Sequence, residues 1–250
     1  PKRYASMSHT ENEQSTSLRL LIFELRLLIR NARTRSLIIS IILFPIWGAS
    51  MLLVGMKEGN LFSLGVGLLL VINVTGMSYT LIGFRLKSIF YDRLISLPYR
   101  NTSLVQTVVI LSHIVTTVSL LLVVVLFLLT SKQFLFPLFA VYLYSLGVVN
   151  YVNTYLAIYN TKRYDVTSTV FNRRELTNSN HLVTFVATVL MSLPPIGLFV
   201  LAEGSSKPIL FALLGVMGVA GMAGHGRWIH AISKSLRKNK YALLNGYRTI

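Results

Sequence analysis

Cysteine is absent from this chain, and acids are scarce: 8 Asp and Glu stand against 24 Lys and Arg in 250 residues. The first absence excludes disulfides, thiolate metal sites and a cysteine nucleophile. Charge of either sign is sparse, 13% of residues where a soluble domain carries about a quarter. The few charges are bunched and leave long windows with none. With 53% hydrophobic residues, this is the composition of an integral membrane protein. Catalytic signatures are missing too. No G-x-x-x-x-G-K-[ST] phosphate loop, H-E-x-x-H or G-x-S-x-G occurs, so no active site is visible. His225 and His230 are five residues apart, a spacing that does not bring them together on one helix face. Ser235-Leu236-Arg237-Lys238 matches S-x-x-K, but only as a chance four-residue match in a basic tail.

Six runs free of Asp, Glu, Lys and Arg are present: Ser36–Met56, Leu61–Phe84, Ser103–Thr130, Phe134–Tyr159, Leu182–Ala202 and Pro208–Gly224. Each approaches or exceeds the roughly 20 residues that cross a hydrocarbon core, with the last the shortest. Of the 24 basic residues, 21 fall in the N-terminal segment, the loops after spans two and four, and the C-terminal tail. Only Lys57, Lys132 and Lys207 fall on the other side. This asymmetry places both termini in the cytoplasm. It also accounts for the net charge of +16 without nucleic acid. The outer connections are short, and the cytoplasmic loops are too small for a catalytic domain. An energy source would therefore reside in another chain.

The expected organisation is a flexible cytoplasmic tail (1–16) with no cleavable signal, an amphipathic interfacial helix (17–35), a six-span domain (36–224) and a basic cytoplasmic tail (225–250). In the interfacial segment Arg19, Arg26, Arg30 and Arg33 are spaced by seven, four and three. They form one stripe on a helix that lies in the membrane interface. Glu24 falls on the apolar side, to be paired with a cation or held at an interface edge.

The segment Gly83–Leu104 lies between spans two and three. Ile89, Phe90, Leu94 and Leu97 share one side of a short helix that Pro98 stops. That helix is either a docking surface or an ordinary basic loop. The spans themselves hold only neutral polar groups. Asn150, Asn153 and Tyr155, with Tyr151, make the cytoplasmic half of span four its most polar part. Such asparagines stitch helices together or line a substrate path. His113 reads as a packing residue. Pro194-Pro195 should break or kink span five, with a re-entrant or bent segment beyond it. Gly215, Gly218, Gly221 and Gly224 recur at three-residue steps in span six, a stripe suited to close helix approach within the bundle or between subunits.

An interfacial helix, six spans, cytoplasmic termini and the run Tyr91-Asp92-Arg93-Leu94-Ile95-Ser96-Leu97-Pro98-Tyr99-Arg100 together resemble the membrane subunit of an ABC-2-type transporter. Leu94, Leu97 and Pro98 match the family's leucine pair and proline. Phe90-Tyr91-Asp92 stands where that family often has a Glu and a Gly-Thr pair. The resemblance implies an all-α, ABC-2 exporter-like permease in the cell's inner (plasma) membrane, paired as a homodimer or with a paralogous permease. It also implies a separate ATPase carrying ATP and Mg, coupled through Ile89, Phe90, Asp92, Arg93, Leu94, Leu97 and Pro98. This chain would bind no cofactor or metal and hold no catalytic residue. Its surroundings would be membrane lipids, and its cargo an amphiphile such as a lipid, peptide, glycan or drug. The alternatives are a membrane-embedded lipid-modifying enzyme and a non-transporting scaffold.

Overall fold

A computed structural model describes residues 21–23, 25–26, 32–74, 100–130, 132–159, 179–201 and 208–248. Among them the chain is helical, with no strand. Residues 21–23 and 25–26 are helical, with Ile22, Leu25 and Arg26 exposed. The other side chains of the arginine stripe, and Glu24, lie outside the described residues.

Helix α1 (Ala32–Glu58) begins four residues before the apolar run. It turns at Gly59, whose φ of 67° is the left-handed geometry that suits glycine after a helix C-terminus. The next residue, Asn60, caps α2 (Leu61–Leu68): its Oδ1 accepts from the amides of Phe62 at 3.0 Å and Ser63 at 3.3 Å. A π-helical turn, Leu69–Val74, continues α2. The two helices pack closely because Gly48, Gly55 and Gly67 remove side chains from the seam. A Cβ on Gly55 would stand 2.6 Å from the Leu64 amide nitrogen.

Helix α3 (Arg100–Thr130) is the longest, at 31 residues. After a 3₁₀ turn at Lys132–Phe134 comes α4 (Leu135–Ala157), whose backbone widens into a π-helical turn over Ser145–Val149. Pro137 sits in the first turn of α4, where no intrahelical amide bond is lost. α3 and α4 are long and apolar enough to cross a membrane. Shorter apolar helical stretches run over Ile41–Gly55, Phe62–Val71, Val186–Leu201 and Phe211–Ala223.

Helix α5 (Ser179–Leu201) runs through Pro194 and Pro195, so of the expected break or kink the break does not occur, and of the expected re-entrant segment or bent helix residues 196–201 are helical. The prolines leave the carbonyls one turn back without amide donors. Contacts on both sides hold the helix nonetheless. The Phe199 ring meets Phe211 edge-on, centroids 4.7 Å apart, and the Tyr144 hydroxyl donates to the Met191 sulfur at 3.7 Å. Membrane-type helices keep such prolines where packing replaces the missing bonds.

Helix α6 (Pro208–Ala223) meets α7 (His225–Lys238) at Gly224, and α8 (Lys240–Arg248) follows. The segment read as a basic tail is thus helical. α7 buries Ile229, Ile232 and Leu236 while its basic residues stay on the opposite face.

Two apolar layers hold the bundle. One joins α1–α6 through Leu52, Leu68, Val123, Phe127, Phe211 and Leu214. The other joins the first turns of α3, the end of α4, and α7 and α8 through Leu104, Val105, Val108, Ile158, Ile232 and Leu243. Large apolar side chains also cover the outside. On α3 Ile110, Ile114, Val118, Leu121 and Val125 form one exposed stripe, while Asn150 and Asn153 are fully buried. Apolar side chains thus cover the outside as well as the core, with a few buried polar groups between, as suits helices long and apolar enough to cross a membrane.

The closest approach is between α4 and α6. A Cβ on Gly147 would overlap the Gly218 carbonyl, one on Gly218 the Leu143 backbone, and one on Gly221 the Gly147 carbonyl. Gly218→Leu should therefore lower the unfolding midpoint in detergent sharply, by several kcal/mol equivalent, since overpacking alone costs about 1–3 kcal/mol. Gly197→Ala, whose added Cβ meets nothing within 4 Å, should leave the midpoint unchanged or raise it. Equal effects from the two would show that the α4–α6 crossing is not close-packed.

Candidate functional site

Between the two apolar layers lies a belt of small polar side chains. Ser112, Thr116 and Ser119 on α3, Ser145, Asn150, Asn153 and Thr154 on α4, and Thr188 and Ser192 on α5 are all buried. The geometry gives the two asparagines separate partners. Asn150 Nδ2 donates to Thr116 Oγ1 on α3 at 3.1 Å. Asn153 Oδ1 accepts from Thr188 Oγ1 on α5 at 3.2 Å. α4 is thereby tied to helices on two sides. Among the described residues Asn150 Oδ1 and Asn153 Nδ2 have no partner, so each amide keeps one polar atom available to a third group.

Tyr155 sits at the edge. Its hydroxyl lies 3.1 Å from that of Tyr159, which lies 3.2 Å from Ser235 on α7. Tyr155 thus belongs to the α4–α7 seam.

The glycines divide likewise. Gly218 and Gly221 form the α4 contact, while Gly215 would make only ordinary contact with Leu143 at 3.8 Å. Gly224 is the α6–α7 junction. Its amide donates to Ala220 at 3.0 Å, and its carbonyl accepts from Arg227 and Trp228. Ile89, Phe90, Asp92, Arg93, Leu94, Leu97 and Pro98 lie outside the described residues. The end of their segment is described: Asn101, Ser103 and Leu104 are buried in the first turn of α3.

A cluster of aromatic and imidazole rings around the C-terminal part of α4 has no counterpart in the sequence reading. Tyr151 is buried, and its hydroxyl is 2.6 Å from His225 Nδ1 at the start of α7. Its ring stacks on Trp228 at 5.6 Å and 9°, and meets His113 edge-on at 5.5 Å. His113 Nδ1 is enclosed with no partner in good hydrogen-bond geometry; the Val109 carbonyl one turn earlier is the acceptor beside it. Tyr151, His113 and His225 line an open groove of about 460 Å³ together with Val109, Ile110, Ile114, Thr117, Val118 and Met222. That volume is in the range of ligand pockets. Thr117 Oγ1, 2.8 Å from the Tyr142 hydroxyl, ties the groove wall to α4. Tyr151 and His225 are 74 residues apart, and no local pattern marks such a pair. The one available signal was two histidines and a tyrosine near the predicted cytoplasmic ends of their spans. Among the described residues no group of three or more His, Asp or Glu is placed to hold a metal.

Residues 17–249 match the model of DUF5687, a family of unknown function, and the chain belongs to that family. No curated protein matches the chain, and no solved structure does.

The Asn150–Thr116 bond should be measurable by a double-mutant cycle. Asn150→Ala and Thr116→Val should each destabilise the detergent-solubilised chain. Their coupling should be about 0.6 kcal/mol, the average for hydrogen bonds between membrane helices. Strict additivity would mean that the bond holds nothing together.

Proposed function

We propose that this member of DUF5687 is the membrane-spanning permease subunit of an ATP-driven exporter of the ABC-2 type. Its six spans place both termini in the cytoplasm of a cell whose inner (plasma) membrane it crosses. Two such subunits, identical or paralogous, form the pathway, and a separate ATPase with ATP and Mg supplies the work.

The observation that carries the reading is the joint at the inner end of α3. The segment Gly83–Leu104 runs directly into α3, and Leu104, Val105 and Val108 are clamped there by Ile229, Ile232 and Leu236 of α7. A push on the segment would pass into α3 and into the helix whose other face is basic. From α7 it would reach α6 through Gly224 and α4 through the backbone crossing at Gly147. The outside of the bundle is apolar and its belt neutral, which favours an amphiphilic cargo over a small ion.

Two experiments test this. The chain lacks cysteine, so single cysteines report sidedness cleanly. An impermeant thiol reagent applied outside should label positions 58, 132 and 205 and spare 12, 92, 170 and 240. Labelling at 170 would overturn the six-span topology.

For coupling, Leu94→Asp with Leu97→Asp should release the ATPase, because burying unpaired carboxylates in a docking groove costs several kcal/mol. Co-purification and export should both be lost at unchanged membrane levels. Undiminished co-purification and export would remove the segment as the coupling element.

A further inference from the structure

We infer that the groove lined by Tyr151, His225 and His113 is a binding site for one anionic phospholipid of the cytoplasmic leaflet, with an acyl chain along α3 and the phosphate at the ring cluster. The inference rests on the membrane-spanning part of the proposed function and needs neither transport nor an ATPase.

Depth comes first. The 31 residues of α3 extend about 46 Å, whereas a hydrocarbon core is about 30 Å thick. With Thr130 at the outer boundary, the inner boundary falls about 20 residues earlier, near Ile110. The groove runs from Val109 to Val118, so it starts where headgroups give way to acyl chains. Tyr151 and Trp228 are the residue types that favour that level.

Chemistry comes second. The wall of Ile110, Ile114, Val118 and Met222 is apolar, and Ile110, Ile114 and Val118 are each more than 40% exposed. A chain entering from the side would cover them.

At the ring cluster, the Tyr151 phenol and the His225 imidazole hold at least two polar protons between them. Their 2.6 Å bond uses one. If Tyr151 donates, the second is on His225 Nε2; if His225 donates, it is on the phenol. Either way one donor remains for a phosphate oxygen. α7 and α8 carry six Lys and Arg, on α7 along the face away from His225, and no acid occurs from residue 204 to the end, so they act as a field and not as ligands. The local field therefore favours an anion.

The two tryptophans supply the assay. Trp228 stacks against Tyr151 beside the groove, while Trp47 is 52% exposed on α1 and samples ordinary surrounding lipid. The purified chain would be reconstituted in digalactosyldiacylglycerol, a bilayer lipid without phosphate, with increasing amounts of brominated phosphatidylglycerol or, separately, brominated diacylglycerol of the same chains. In Trp47→Phe, phosphatidylglycerol should half-saturate Trp228 quenching at a mole fraction about tenfold below diacylglycerol, the worth of one hydrogen bond to a charged group. In Trp228→Phe, the two lipids should quench Trp47 alike.

Tyr151→Phe combined with His225→Phe, made in the Trp47→Phe chain, removes both donors and should bring the two Trp228 titrations together. Filling the groove with Ile114→Phe and Val118→Phe, at exposed positions that do not threaten folding, should abolish saturation. Trp228 quenching that merely follows mole fraction for both lipids would overturn the inference. So would a phosphatidylglycerol preference that survives the filled groove, which decides the matter if the chain lacking both donors fails to fold.

Discussion

The bundle depends on one backbone contact. At Gly147, Gly218 and Gly221 the main chains of α4 and α6 meet with no side chain between them. In hydrocarbon the hydrophobic effect does not drive helices together, so association draws on dispersion between closely fitted surfaces. This contact sets where α6 ends. The end of α6 sets Gly224, and Gly224 sets the start of α7. α7 can then reach back over the first turns of α3 and bury Ile229, Ile232 and Leu236 there. The π-helical turn at Ser145–Val149 lies at the same level and contains Gly147. A locally widened helix rotates the residues that follow it, so this turn also governs the direction in which Asn150 and Tyr151 face.

The same physics orders the polar groups. A buried hydroxyl on a helix can bond the carbonyl one turn back, as Thr107, Thr116, Ser119, Thr154 and Ser192 do at 2.7–3.0 Å. Those bonds satisfy the side chain without a partner helix. The amides of Asn150 and Asn153 are longer and reach across to α3 and α5. The belt therefore combines groups at rest in their own helix with two that join helices. Tyr151 joins a third element, α7, through His225. Adhesion between helices, the cap of α7 and α8 and the ring-lined groove all rest on the nine-residue stretch from Ser145 to Asn153.

Much of this was legible in the sequence. Apolar runs bounded by charge marked the helices, because a segment buried in hydrocarbon must satisfy its own backbone and exclude charge. The bounds of α3, α4 and α6 came within a few residues of those runs. The glycine stripe and the two asparagines stood out because small and amide side chains are conspicuous against leucine and valine. The continuity of α5 was not legible, since proline reports the loss of local bonds and says nothing of the packing that compensates. Nor was the helical cap of α7 and α8 evident, where the density of basic residues masked the spacing of Ile229, Ile232 and Leu236.

By itself, the sequence determined the helical class and the apolar exterior, since both follow from residue types and their spacing along one chain. Only the tertiary structure decided which glycines meet a neighbour: Gly218 and Gly221 meet α4, whereas Gly224 turns the chain. It alone brought Tyr151, His113 and His225 around one groove, with Trp228 stacked on Tyr151. The physical reason is that periodicity fixes a face of a helix but not its partner. The partner is chosen by which surfaces fit most closely, and that choice joins residues from separate parts of the chain.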